Sequence, residues 1–281
     1  MMRLLSKIRE SLPFVGEKKP SVTVVSLYGA IAVDARPGRG LSANGVEEGL
    51  RKAFKDKSSK AVILAINSPG GAPAQARMIM ERARHLAKDA DVPVISYIED
   101  VGASGGYMIA LAGEEIWADP FAIVGSIGVV SAGFGFQEAI EKIGVERRVY
   151  HAGDNKVRLD PFRPENPEDT AKLERLLGQT HTLFIDMVRE SRGDRLNAPD
   201  ETIFSGDFFL ADEGKTHGLV DEVGDLRTLI KDRYGEKTKV RLISGKRGGL
   251  FSALGASVGH GVVNALRTAL REEDLRARLG L

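Results

Sequence analysis

Apolar residues along the chain come in two kinds of pattern, short unbroken runs and longer stretches with a helical step. Val22–Leu27 and Ala61–Ile66 are unbroken and rich in β-branched residues, as expected of strands buried on both faces. Val94–Tyr97, Ile116–Ala118 and Ile123–Val130 read as further short strands. Between them the apolar positions change period. Val46–Phe54 reads as a helix, and Ala72, Ala76, Ile79, Ala83 and Leu86 lie on one helical face. A helix is expected from about Ser104, another over Phe136–Ile143, and an extended stretch over Glu146–Tyr150. The longest helix spans Asp169–Glu190, with Leu173, Leu176, Leu177, Leu183, Phe184, Met187 and Val188 as its stripe. Asp207–Thr216 and Asp225–Tyr234 read as shorter helices around a Leu219–Val220 strand. Strands alternating with helices indicate an α/β domain with a mainly parallel sheet.

Composition narrows the function. The 281 residues carry 40 Lys+Arg against 39 Asp+Glu, a net charge of +1. A protein that binds nucleic acid through its phosphates usually has a basic excess, so no nucleic-acid partner is expected. The chain has no cysteine, which excludes a disulfide scaffold, a thiolate metal site and a Cys nucleophile. Residues 1–19 are charged throughout, with no apolar run of signal-peptide length, and no stretch of about 20 apolar residues predicts a spanning helix. The expected layout is an N-terminal arm (1–20), one main domain (21–245) and a C-terminal tail (246–281) that oligomerises or lies on a membrane surface.

Two strand–turn–helix junctions can carry chemistry, Ile66–Gly71 (INSPGG) and Gly102–Tyr107 (GASGGY). Ligands of α/β folds collect beyond the carboxyl ends of parallel strands, and glycines there let backbone N–H groups approach them. Ser104 is set where a helix begins, and the neighbouring Gly105 N–H is able to serve an oxyanion. This suits a nucleophilic serine. On the alternative reading Ser104 only caps the helix and the glycines only make turns. The base is open between two residues. His85, His181, His217 and His260 fall at positions that read as structural or exposed, which leaves His151 in a loop. Lys156, in the polar loop before Pro161, is the other candidate. A lysine acts as a base only as the neutral amine, which requires desolvation.

SPGG at 68–71, ASGGY at 103–107, GSIGV at 125–129 and the segment from Phe204 to Gly224 together resemble the signal peptide peptidase A (SppA) family of serine proteases, over roughly 22–234. The resemblance implies a ClpP/crotonase-like fold and a Ser–Lys dyad, with Ser104 as nucleophile and Lys156 as general base. It implies that Ser126 helps hold the lysine amine and that Gly71 and Gly105 donate to the oxyanion, with Gly70 as the fallback for the first. The ClpP histidine position is occupied here by Val129 and Val130. The family pattern further implies a serine endopeptidase that cleaves extended apolar peptides such as signal-peptide remnants through an acyl-enzyme. It implies no metal or other cofactor and a homo-oligomer (an octamer). The expected location is the cytoplasm or peripherally at the inner membrane, with the basic, amphipathic terminal segments making the peripheral membrane contact. The competing expectations are a crotonase-type acyl-CoA enzyme and an inactive scaffold of the same fold.

Overall fold

Three strands form the centre of the sheet: β1 (Ser21–Tyr28), β2 (Ser59–Ser68) and β3 (Val94–Ala103). The computed structural model describes residues 20–33, 40–243 and 279, so the arm and tail expected from the sequence lie almost wholly outside the described residues. Near-continuous apolar runs bury both faces of a strand only if both faces of the sheet are covered. In β1, Val22 and Val24 enter one core while Val25 and Leu27 enter the other. In β2, Ile63 and Ala65 share the first core, and Val62, Leu64 and Ile66 share the second.

The remaining elements follow in chain order. Helix α1 (Ala43–Lys55) lies between β1 and β2, α2 (Pro73–Ala90) between β2 and β3, and α3 (Gly105–Ala110) directly after β3. Then come β4 (Glu115–Ala118), β5 (Ile123–Gly125), α4 (Gln137–Lys142) and the long α5 (Pro167–Arg192). The chain continues through α6 (Asp200–Ile203), β6 (Phe208–Leu210), α7 (Ala211–Thr216), β7 (Glu222–Val223), α8 (Leu226–Tyr234) and β8 (Lys239–Ile243). Local signals fix several helix starts. Ser42 accepts from Gly45 N–H at 3.2 Å, Asn166 accepts from Glu168 N–H at 2.8 Å ahead of Pro167, and Asp225 accepts from Thr228 N–H at 2.9 Å.

The described strands make one sheet in the order β6-β5-β3-β2-β1-β8, with β4 and β7 off that path. Every pairing is parallel except β5 with β6. One edge of β3 serves two partners: Ile95–Ile98 pairs with β4, and Val101–Ala103 pairs with β5. α1, α2, α3 and the last turns of α5 pack on the core that holds Leu27, Leu64 and Ile66, and α8 packs on the other through Leu226, Leu229 and Ile230.

The sheet is the mainly parallel α/β sheet that the pattern predicts, with local departures. The strand expected to run to Val130 stops at Gly125, because Ser126 turns the chain with φ +50°. The helix expected from Asp207 begins at Ala211, since Phe208–Leu210 is drawn into the antiparallel pairing with β5. Pairing near 220 falls on Glu222–Val223 rather than Leu219–Val220, and β8, where Val240 and Leu242 alternate with Lys239 and Arg241, is a strand not among those expected. In α5, Phe184 and Val188 are buried, but Leu176 and Leu183 are exposed.

A buried polar strap ties the end of α5 to the site helix. Arg192 is 2% exposed; its Nε donates to Gly218 O, and its two terminal nitrogens donate to the Asp221 carboxylate, each at 2.8 Å. Asp221 also accepts from Ile116 N–H at 2.7 Å, and Tyr107 Oη donates to Leu219 O at 2.7 Å. Burial holds the Tyr107 hydroxyl in its protonated, donating form by pushing its pKa up. The chain from 218 to 221 is thereby fixed against α3, three residues from Ser104.

Candidate active site

Ser104 stands between the last residue of β3 and the first of α3, with φ +52° and ψ −122°. That left-handed conformation is costly for a residue with a side chain, and at a strand-to-helix turn it lifts the hydroxyl out of the sheet. The backbone on both sides is held: Ser104 N–H donates to Gly125 O at 2.9 Å, and Met108 N–H donates to Ser104 O at 3.0 Å. The side chain makes no capping hydrogen bond to α3 and is half-buried. The reading of Ser104 as a mere helix cap therefore fails.

The SPGG turn lies against this elbow. A Cβ on Gly70 would come within 2.8 Å of both Gly105 N and Ser104 Cβ, and one on Gly105 within 3.3 Å of Gly71 N. These atoms form one cluster. In the parallel bridge between Ile31 and Gly71, Ile31 N–H donates to Gly70 O and Ala72 N–H donates to Ile31 O, both at 2.8 Å. Gly71's own N–H consequently points away from Ile31. At Gly71 φ is +137°, and a Cβ would approach Ile31 O to 2.1 Å, so no other residue fits. Gly106 is equally constrained, because its Cβ would meet Ser68 O at 2.2 Å. The two junctions picked out by the sequence thus pack backbone to backbone, with the Gly71 and Gly105 amide nitrogens close together at the Ser104 elbow. That is an arrangement able to hold an oxyanion.

Ser126 begins the turn that follows β5. Its N–H donates to Asp207 O at 2.7 Å, and Gly128 N–H donates back to Ser126 O at 2.9 Å. Its half-buried side chain has no hydrogen bond among the described residues.

Lys156 is elsewhere in character. It is exposed in a turn closed by Lys156 N–H to Gly153 O at 3.1 Å, and its amine bonds to neither Ser104 nor Ser126. It belongs to a segment, 130–166, that enters neither hydrophobic core. Phe136 stacks on Phe162 at 5.6 Å, Arg147 lies over Phe162 at 5.4 Å, and Asp160 accepts from Arg147 at 3.3 Å. Around this small cluster the apolar side chains face outward, with Val130 and Phe134 more than 80% exposed and Tyr150 91% exposed. His151, the other candidate base, is exposed on the same segment, its Nδ1 3.1 Å from Gly153 O. His85 is exposed, and His217 packs edge-on against Phe209 at 4.7 Å. His260 lies outside the described residues. His181, read from sequence as structural, has Nε2 2.9 Å from Ile127 O, in the Ser126 turn.

The profile of "Peptidase family S49" matches residues 86–240, more than half of the chain. The chain belongs to this family. Among similar proteins, a protein of Brucella abortus (strain 2308) named "Na(+)/H(+) antiporter NhaA" is 52% identical over 232 residues, covering 81% of this chain and 31% of that protein. The "Putative protease MJ0651" of Methanocaldococcus jannaschii is 34% identical over 177 residues, 63% of this chain and 56% of that one. "Serine protease SPPA, chloroplastic" of Arabidopsis thaliana is 31% identical over 258 residues, 86% of this chain and 38% of that one. The S49 chain therefore spans about a third to about half the length of these relatives. The transport named for the Brucella protein belongs to that longer chain; among the described residues here, no helix is long and apolar enough to cross a membrane. Among solved structures, a mutant of the 1510-N membrane-bound stomatin-specific protease shares the fold, with a TM-score of 0.50 at 17% identity over 82% of this chain and 100% of that one.

Proposed function

We propose that this S49 chain is a serine endopeptidase with a Ser104–Lys156 dyad that cleaves extended apolar peptides, such as signal-peptide remnants, through an acyl-enzyme. The observation that carries the reading is the uncapped Ser104 hydroxyl on a left-handed elbow beside the Gly71 and Gly105 amides. The neutral amine of Lys156 takes the Ser104 proton as Oγ attacks the scissile carbonyl. The N–H groups of Gly71 and Gly105 hold the tetrahedral oxyanion, and the Lys156 ammonium then protonates the leaving amine. Water, deprotonated by the same amine, attacks the acyl-serine and releases a carboxylate and free Ser104. The Ser126 hydroxyl aims the amine.

In the isolated protomer Lys156 is exposed, and a lysine base needs a dry setting. The reading therefore includes assembly. Identical subunits dock through the outward apolar residues of 130–166, which are costly to leave in water, and docking dries the lysine. The proposed assembly is an octamer, the number that the family resemblance implies. An extended substrate lies along the glycine turns, using main-chain hydrogen bonds.

The test is a serine-directed phosphonate probe followed by peptide mapping, with a fluorogenic apolar peptide library run in parallel at mildly alkaline pH. Labelling confined to Ser104, together with peptide cleavage, is the expected result. Assembled protein that takes no label and cuts no peptide, yet turns over an acyl-CoA, would move the assignment to crotonase chemistry.

Peripheral membrane contact through the basic terminal segments belongs to the same reading. Full-length protein is expected to co-sediment with anionic vesicles and to be released by salt; protein that stays in the supernatant would remove this part.

A further inference from the structure

The turn from Gly125 to Gly128 touches the site twice. Gly125 O accepts the Ser104 N–H at 2.9 Å, and the next residue is Ser126. The turn is built from conformations that do not hold themselves. Gly125 has φ +91° and Ser126 φ +50°, and the Gly128 N–H to Ser126 O bond closes a three-residue γ-turn around Ile127. Such a turn keeps its shape only if its surroundings dictate it. On one side the Gly206–Asp207 backbone does so: Ser126 N–H donates to Asp207 O, and a Cβ on Gly128 would come within 2.8 Å of Gly206 Cα. On the other side the Ile127 side chain is buried, and its carbonyl meets a single side chain, His181 from α5. A carbonyl only accepts, so Nε2 of His181 carries the proton and donates, at 2.9 Å.

The structure assigns His181 as a positioning residue: its Nε2–H, bonded to Ile127 O, fixes the turn that carries Ser126 and anchors the backbone of Ser104. The assignment rests on the peptidase reading above. His181 reaches the chemistry only through this turn. Without its donor the half-buried Ile127 carbonyl loses its partner, the γ-turn relaxes, and both the Ser126 hydroxyl and the Ser104 elbow drift from their working places.

The experiment uses the assembled full-length chain. His181→Leu removes the donor, and His181→Gln keeps an amide N–H at nearly the same position. Both are measured for kcat and KM on one fluorogenic peptide, for phosphonate labelling rate and for oligomer size, alone and in a Ser126→Ala background. A small displacement of reacting groups is worth tens of fold in rate, so His181→Leu is expected to lower kcat by about tenfold or more with KM little changed. His181→Gln should recover most of that loss, and His181→Leu should cost much less once Ser126 is already alanine. Unchanged kcat in an assembled His181→Leu protein would overturn the assignment. So would equal losses in the Leu and Gln variants, or full additivity with Ser126→Ala. If Ser126→Ala alone keeps wild-type kcat, it is the Ser126 role that fails. His181 is then decided by the Leu and Gln variants and by the Ser104 labelling rate, since the turn also holds Ser104 through Gly125 O.

Discussion

Ser104→Ala and Lys156→Ala are each expected to lower kcat/KM for peptide hydrolysis by about 10⁴-fold or more, with the oligomer intact. Nothing at the elbow stands in for the serine: the Gly71 and Gly105 amides donate but do not attack, and the buried Ser68 hydroxyl is held by Gly70 N–H at 3.2 Å. The lysine test is sharper with a second substitution. Lys156→Arg keeps the positive charge and most of the reach, but a guanidinium does not give up its proton in a protein and so cannot act as base. It should be as inactive as Lys156→Ala. Ser104→Ala must lose phosphonate labelling altogether. Both Lys156 variants should still bind peptide, because the proposed role of the amine is proton transfer rather than holding substrate. Initial rates on one fluorogenic peptide, with light scattering to verify assembly, decide the matter. Activity that survives Lys156→Ala would pass the base role to His151, exposed on the same segment.

The largest effect on stability is expected at Arg192. Its guanidinium is buried and forked onto Asp221, with a third bond to Gly218 O. Removing one member of such a pair leaves the other desolvated and unpaired, so Arg192→Ala should cost about 3–5 kcal/mol, while replacing both members with leucine should cost less. Burial alone would raise the Asp221 pKa. The hydrogen bonds from Arg192 and Ile116 N–H, with the charges of Arg192 and Arg195, outweigh it and hold the carboxyl below its ordinary value of 3.8. A carboxyl with a depressed folded pKa adds stability above the ordinary value and loses it as pH falls through the folded one. The melting temperature of the wild type should therefore drop below about pH 4, and its margin over Arg192→Ala should shrink across the same range. Thermal melts of both proteins across that range measure it; a margin that stays constant would mean Asp221 is not the linked group.

The parts of this molecule that were legible in the sequence are those whose cause is local. Unbroken β-branched runs named β1 and β2, and dense turn signals named both junctions of the site. At Gly71 and Gly106 the glycines answer to contacts of 2.1 and 2.2 Å, which the bare spacing could not tell from ordinary tight turns. What the sequence hid depends on distant partners. Phe208–Leu210 reads as the start of a helix until β5 is beside it, and Lys239–Ile243 becomes a strand only because β1 offers its edge. The partners of Arg192, Asp221 and His181 gave no signal, since neither a charge nor an imidazole names the group it meets until the element facing it is known. The loop of Lys156 looked polar and was; the exposure of Phe134, Phe136 and Tyr150 on the same segment was not legible.

The placement of β8 against β1 has a consequence for how the protein is made. Ser21 lies opposite Lys239, so the first described strand leaves the ribosome more than 200 residues before the one that covers its outer edge. At the usual 5–20 residues per second, that interval is roughly 10–45 s. Throughout it, the β1–β2–β3 unit can form while its β1 side presents an unpaired row of N–H and C=O groups, the feature that recruits strands from other chains. The β3 end that carries Ser104 is built early from neighbouring segments, and the β1 edge is closed last. Crowded nascent chains on one messenger are therefore most exposed to mispairing at this edge, and a holding chaperone would have its target there.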